Sequence, residues 1–214
     1  MNGDLFADET RFTDEALGEQ ARVLRGFALA RADALLAAVE EIAAAAPFRH
    51  LVTPAGTMSV AMTNCGERGW TSDARGYRYS AIDPDSGRPW PAMPPMLREL
   101  ARDAAAALGF AGYAPDACLI NRYLPGSRMG LHQDRDEGDK VAPIVSASLG
   151  IPAIFLFGGM KRNDRPRRIE VRHGDVVVWG GVDRLRYHGV APVKPALHPL
   201  LGGKRINLTF RKTV

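Results

Sequence analysis

After Pro115 the chain breaks into short β-prone runs separated by turn clusters, and this rhythm restricts the available folds more than any other feature. The runs cover 117–123, 144–149, 153–157, 168–171, 176–179 and 205–211, punctuated by Pro125-Gly126, Gly158-Gly159, His173-Gly174-Asp175 and Gly202-Gly203. Two helical segments come first. Over 31–46, Leu35, Leu36, Val39 and Ile42 recur at helical spacing and Pro47 marks the stop. Over 94–108, Pro94-Pro95 opens a helix with Leu97, Leu100, Ala104 and Leu108 on one face and Gly109 at its end. Two helices followed by many short strands predict a mainly β fold with flanking α-helices, a β-sandwich or jelly roll. The stretch 51–90 is rich in Gly, Thr, Ser, Tyr and Arg without clear period. It is expected to form short strands and loops of the kind that carry recognition.

With 214 residues, 46% of them hydrophobic, the chain can bury one ordinary core, and a single domain over 1–214 is expected. Asp4, Asp8 and Glu9 stand where a signal peptide would be basic. The longest uncharged stretch, 144–160, is cut by Gly150-Ile151-Pro152 and Gly158-Gly159, so it reads as strands around turns and not as a membrane span. Cys65 and Cys118 lack metal-pair spacing, which fits reduced thiols in a cytoplasmic protein. A monomer without a membrane partner is expected. The net charge of +4 suits attraction to a polyanion, although proteins that never touch nucleic acid share such an excess.

His132-Gln133-Asp134 places an imidazole and a carboxylate two residues apart, on one side of an extended chain. A second histidine is needed to close a metal site, and His188, just beyond the turn-like Gly180-Gly181, could return to the same mouth. Two histidines and one carboxylate on one face leave three positions open, which suits Fe(II) that must take up a co-substrate and O₂ together. The competing reading is a loop hydrogen bond, because His-x-Asp pairs are frequent by chance. His173-Gly174-Asp175 has the same spacing and reads as a tight turn whose Asp175 bonds backbone amides. His50 and His198 lack a carboxylate at matching spacing.

The segment 205–211 alternates strictly, with Arg205, Asn207, Thr209 and Arg211 on one face and three apolar side chains on the other. This is either a solvated cationic edge or a cradle for a dianion. In 119–123, Asn121 and Tyr123 share a face and offer neutral partners beside the arginines, unless both are core polar groups satisfied by backbone. Guanidinium groups along one strand suit a dicarboxylate such as 2-oxoglutarate.

The strings NRYLPGSRMGLHQDRDE, HGDVVVWGG, YHGV and RINLTFR, with VTPAGTMSVAMTNCG, GWTSDARGYRYS and PDACLINRY, run along nearly the whole chain. Together they resemble the bacterial AlkB family of alkylation-repair dioxygenases. That resemblance implies a double-stranded β-helix (jelly-roll) core over 93–214 with its buttressing helix, a nucleotide-recognition lid over 49–92, and an N-terminal helical segment over 1–48. It implies iron held by His132, Asp134 and His188, and 2-oxoglutarate held by Asn121, Tyr123, Arg205, Asn207 and Arg211. Trp70, Tyr77, Arg78, Tyr79, Asp136 and Arg162 match the family's substrate-contacting positions, with Met62 and Thr53 around them. The implied activity is oxidative demethylation of 1-methyladenine, 3-methylcytosine and similar bases in single-stranded DNA, in RNA, or in duplex DNA by base flipping. It consumes O₂ and 2-oxoglutarate and releases formaldehyde, succinate and CO₂. Trp70 would stack on the base, against the alternative of ordinary core packing. One departure is visible: Ala55-Gly56-Thr57 is one residue short of the family's usual Gly-Gly-Tyr-Thr and lacks its tyrosine. Two rival readings use the same residues: a dioxygenase of the same chemistry acting on a protein or metabolite, and a metal-free jelly-roll module that binds nucleic acid without turnover.

Overall fold

A computed structural model describes residues 13–53, 56–73 and 76–214. The acidic start with Asp4, Asp8 and Glu9, and Ala55 of the shortened loop, lie outside these described residues. In chain order the elements are β1 (Glu15–Ala16), β2 (Ala21–Leu24), α1 (Ala32–Ala45), β3 (Arg49–Thr53), β4 (Gly56–Gly66), β5 (Gly69–Asp73) and β6 (Gly76–Ser80). There follow α2 (Pro95–Ala106), β7 (Ala117–Tyr123), β8 (Met129–His132), β9 (Ile144–Gly150), β10 (Ala153–Phe157), β11 (Arg167–Val171), β12 (Val176–Trp179), β13 (His188–Val190) and β14 (Arg205–Arg211).

The strands form an eight-stranded sheet ordered β1-β2-β12-β9-β14-β7-β4-β3, a four-stranded sheet ordered β11-β10-β13-β8, and a separate β5–β6 hairpin. Both helices cover the outer face of the large sheet. Leu35, Val39 and Ile42 of α1 and Leu97 and Leu100 of α2 share one core with Val145, Leu149, Ile206, Leu208 and Phe210. Each such fully buried side chain stabilises the fold by about 1.5–3 kcal/mol. The inner faces of the two sheets meet in a second core built from Tyr123, Phe155, Phe157, Ile169, Trp179 and their neighbours. This sandwich is the jelly roll that the strand rhythm predicts.

The alternation of 205–211 is real, but β14 is no edge. It lies between β9 and β7, and all seven of its residues are buried. Its apolar side chains enter the helix-side core and its polar ones the space between the sheets, so a row of cationic and neutral polar groups is held in the interior.

Two parts of the chain depart from the sequence reading. The segment before α1, expected to be helical, contains β1 and β2, and β2 extends the large sheet along β12. The irregular stretch 51–90 contains β4, an eleven-residue strand, because Val60–Cys65 is buried on both faces and such a strand shows no alternation. Among the described residues no helix is long and apolar enough to cross a membrane.

Candidate active site

The two sheets splay apart around a cavity of about 620 Å³, and the polar face of β14 forms its floor. His132 ends β8 and stands opposite His188, which opens β13. Gly189 allows this pairing, since a Cβ there would lie 2.7 Å from the Met129 carbonyl oxygen. The two imidazoles are 4.4 Å apart between ring centres. Asp134 reaches between them, with Oδ1 3.5 Å from His132 Nε2 and Oδ2 3.7 Å from His188 Nε2. Among the described residues these three form the one group whose donor atoms, all within 4.8 Å of one another, could hold a metal ion.

Each histidine is held in one tautomer. His132 Nδ1 lies 2.8 Å from the Gly130 carbonyl and His188 Nδ1 3.0 Å from that of Arg186. A carbonyl only accepts, so both Nδ1 atoms carry hydrogen and both Nε2 lone pairs turn toward the common centre. Burial, reinforced by His132, lowers the His188 pKa to about 3, so the ring is neutral near pH 7. Burial opposes the charge on Asp134, but Arg211, His188 and His132 overcome it and hold the carboxyl well below its usual range. Arg211 Nη2 sits 2.7 Å from Asp134 Oδ2. Two neutral nitrogen donors and one ionised oxygen donor fit a divalent iron.

The loops bearing these ligands are stapled to each other. Arg184, 1% exposed, donates to the backbone oxygens of Asp134 and Ala142 at 3.0 Å each and pairs with Glu137 Oε2 at 3.2 Å. Gln133 donates in turn to the Leu185 carbonyl. Glu137, itself buried, also lies 3.3 Å from Arg211 Nε and accepts from the Tyr79 hydroxyl at 2.7 Å. Arg184, Glu137 and the two serines of β9 were missed in the sequence. An isolated Arg after Gly-Gly-Val-Asp carries no signal, whereas Ser146 and Ser148 are two apart in a buried strand and could have been found as its polar face.

At the far end of the floor, Arg205 is 2% exposed. Its guanidinium packs 4.8 Å from the centre of the Tyr123 ring and donates through Nη2 to Ser148 Oγ at 3.0 Å. Arg205 Nε and Nη1 and Asn121 Oδ1 are buried without hydrogen-bond partners. An isolated buried guanidinium costs several kcal/mol, and a carboxylate would satisfy it. The residues therefore fit 2-oxoglutarate as they fit iron. Asn207 lies between the two arginines, its amide bonded to Ser146, Ala147 and Thr209.

The β5–β6 hairpin closes over the mouth. Trp70 stacks on Tyr77 with ring centres 5.3 Å apart and planes inclined by 16°, and its Nε1 donates to Asp136 Oδ2 at 3.4 Å. Met62, Tyr79, Asp136 and Arg162 also line the cavity. Arg78 and Thr53 do not: Arg78 pairs with Asp73 at 2.7 Å within the hairpin, and Thr53 Oγ1 donates to the Gly56 carbonyl at 2.9 Å. Trp70 is half-buried at the mouth and belongs to neither core proper. The second His-x-Asp pair is the expected turn: Asp175 accepts from the amides of Gly26 and Arg172 at 2.9 Å each, and His173 Nδ1 from that of Gly150 at 3.0 Å.

Comparison with known proteins gives the same answer as the geometry. Residues 20–211 match the 2OG-Fe(II) oxygenase superfamily. The chain is 55% identical over 210 residues to the alpha-ketoglutarate-dependent dioxygenase AlkB of Escherichia coli, covering 98% of this chain and 97% of that one. It is 39% identical over 122 residues to the nucleic acid dioxygenase ALKBH1 of Mus musculus, covering 57% of this chain and 29% of that one. The solved structure of OsALKBH1 superposes with a TM-score of 0.81 at 27% identity, over 94% of this chain and all of that one. The chain therefore belongs to the 2OG-Fe(II) oxygenase superfamily and, within it, to the AlkB family of alpha-ketoglutarate-dependent dioxygenases.

Proposed function

We propose that this Fe(II)- and 2-oxoglutarate-dependent dioxygenase demethylates alkylated bases, 1-methyladenine and 3-methylcytosine among them, in single-stranded nucleic acid. His132, Asp134 and His188 hold the iron; Asn121, Tyr123, Arg205, Asn207 and Arg211 form the 2-oxoglutarate cradle. In this reading residues 49–92 serve as the nucleotide-recognition lid and 93–214 as the catalytic core. One observation carries it: a buried, under-satisfied Arg205 shares one cavity with a His-Asp-His group, beneath an aromatic lid. With both bound, the centre supplies an oxidant that hydroxylates the methyl group, which leaves as formaldehyde while 2-oxoglutarate becomes succinate and CO₂.

The protein's own residues select and orient the base. Methyl groups on the Watson–Crick edge are reachable only when the base is unpaired, which favours a single strand. Stacking on Trp70 contributes about 1–3 kcal/mol. Methylation at N1 of adenine or N3 of cytosine makes the base cationic, and the Trp70 ring face and the Asp136 carboxylate both favour a cation over the neutral parent. The cavity walls exclude water from the oxidising centre, and Arg162 at the rim is placed to meet a phosphate. The nucleic acid dioxygenase ALKBH1 among the relatives supports a nucleic-acid substrate.

The test is to incubate the iron-loaded enzyme with 2-oxoglutarate and a methylated single strand, a methylated duplex, a methylated RNA or a methylated peptide, and to follow formaldehyde. The single strand is expected to lose its methyl group fastest, with one succinate formed per formaldehyde. Release from the peptide alone would replace this reading with its protein-directed rival.

A further inference from the structure

Asn207 stands where a side-chain amide would reach a bound dicarboxylate, yet its hydrogen-bonding capacity is already used. One Nδ2 hydrogen goes to Ser146 Oγ at 2.8 Å and the other to the Ala147 carbonyl at 3.0 Å. Oδ1 accepts from Thr209 Oγ1 at 2.9 Å and faces Asn121 Nδ2 at 3.5 Å. A primary amide has two donors and an oxygen with two lone pairs, so nothing remains for a ligand. Nor can the amide be turned over. That would set Oδ1 against the Ala147 carbonyl, which has no hydrogen to offer.

The fixed amide sets the direction of its neighbours. Thr209 must donate to Oδ1, and Ser146 Oγ must accept from Nδ2. Among the described residues Ser146 Oγ makes no other hydrogen bond, so its own hydrogen is uncommitted. Ser146 lines the cavity and is 7% exposed, in register with Thr209 on the polar side of β9. Its neighbours in sequence, Val145 and Ala147, face the other way into the helix-side core. The order Thr209 to Asn207 to Ser146 is then a chain of hydrogen bonds with one orientation, each link polarising the next, and its free end points at the ligand space.

We propose that the Ser146 hydroxyl is a direct binding group for 2-oxoglutarate, donating to one of its carboxylates, and that Asn207 is a positioning residue that holds Ser146 in this polarity. This rests on the reading of the cavity as the 2-oxoglutarate site and extends it to a residue outside the five in the cradle. Losing a hydrogen bond to a charged group weakens binding by about 10- to 100-fold.

The test is calorimetric titration of 2-oxoglutarate into the full chain loaded with Mn(II), which reads binding without turnover, beside the thermal midpoint and the Mn(II) affinity. Ser146→Ala is expected to raise the 2-oxoglutarate Kd by about 10- to 100-fold with midpoint and metal affinity unchanged. Ser146→Thr, which keeps the hydroxyl, is expected to restore most of the affinity. Native affinity in Ser146→Ala, while Arg205→Ala loses binding, would overturn the proposal and leave the cavity assignment standing. Native affinity in both variants would overturn the cavity assignment itself. A parallel fall in midpoint, metal affinity and co-substrate affinity in Ser146→Ala would make the serine structural and also refute the proposal.

Discussion

The floor and the lid of the cavity are built on opposite terms. On the floor, β14 is fully buried between two partners and its polar side chains are locked by short, directional hydrogen bonds. The lid is a two-stranded hairpin outside both main sheets, with Tyr77 50% exposed and a long 3.4 Å contact from Trp70 to Asp136. A site for one small dicarboxylate and one ion gains from preorganisation, because every group fixed beforehand is entropy not lost on binding. A site for bases of different size and methylation position gains from aromatic faces that accept any planar cation. Co-substrate chemistry should accordingly depend on exact hydrogen bonds, and base recognition on stacking area.

The comparison can be broken by mutation. Asp134→Ala removes the anionic ligand from beside Arg211 and leaves two neutral nitrogens. Turnover of a methylated oligonucleotide, followed by formaldehyde release, should fall by at least about 1,000-fold with the fold retained by circular dichroism. Arg205→Ala removes the buried guanidinium. The 2-oxoglutarate Kd should rise by about 100-fold, while oligonucleotide binding, read by fluorescence anisotropy, stays near native. Trp70→Ala should do the reverse, weakening the methylated strand by about 5- to 100-fold and leaving 2-oxoglutarate titrations unchanged. Equal losses in both assays for either variant would erase the division between floor and lid.

Tyr79→Phe gives the smallest effect and sharpens the boundary, because Tyr79 belongs to the lid and its hydroxyl bonds Glu137, which touches Arg211. Removing one hydrogen bond should raise the oligonucleotide Kd by about 2- to 10-fold. A change of the same size in 2-oxoglutarate affinity would mean that Glu137 transmits the lid's position to the floor.

The floor was the more legible region in the sequence, and the reason is periodic. In 205–211 the period of two separates Arg205, Asn207, Thr209 and Arg211 from Ile206, Leu208 and Phe210, and the structure keeps that division. The run 117–123 has the bounds of β7, and 153–157 those of β10. The metal group needed long-range information. His132 and His188 sit on strands of four and three residues, too short to show a pattern, and the fold alone brings them opposite each other. Arg184 and Glu137 are still less visible, since their roles come from the loops they join. The lid was read mainly through resemblance. Its supporting strand β4 was not anticipated, and Arg78 and Thr53 fall outside the cavity lining although their motifs match.

The most direct test of the central claim is an anaerobic Fe(II) titration in the presence of 2-oxoglutarate, comparing the native chain with His132→Ala and His188→Ala. One ion bound tightly per native chain, and a large loss of affinity in both variants, is the predicted result. Unchanged iron affinity on losing either imidazole would contradict a centre shared by β8 and β13.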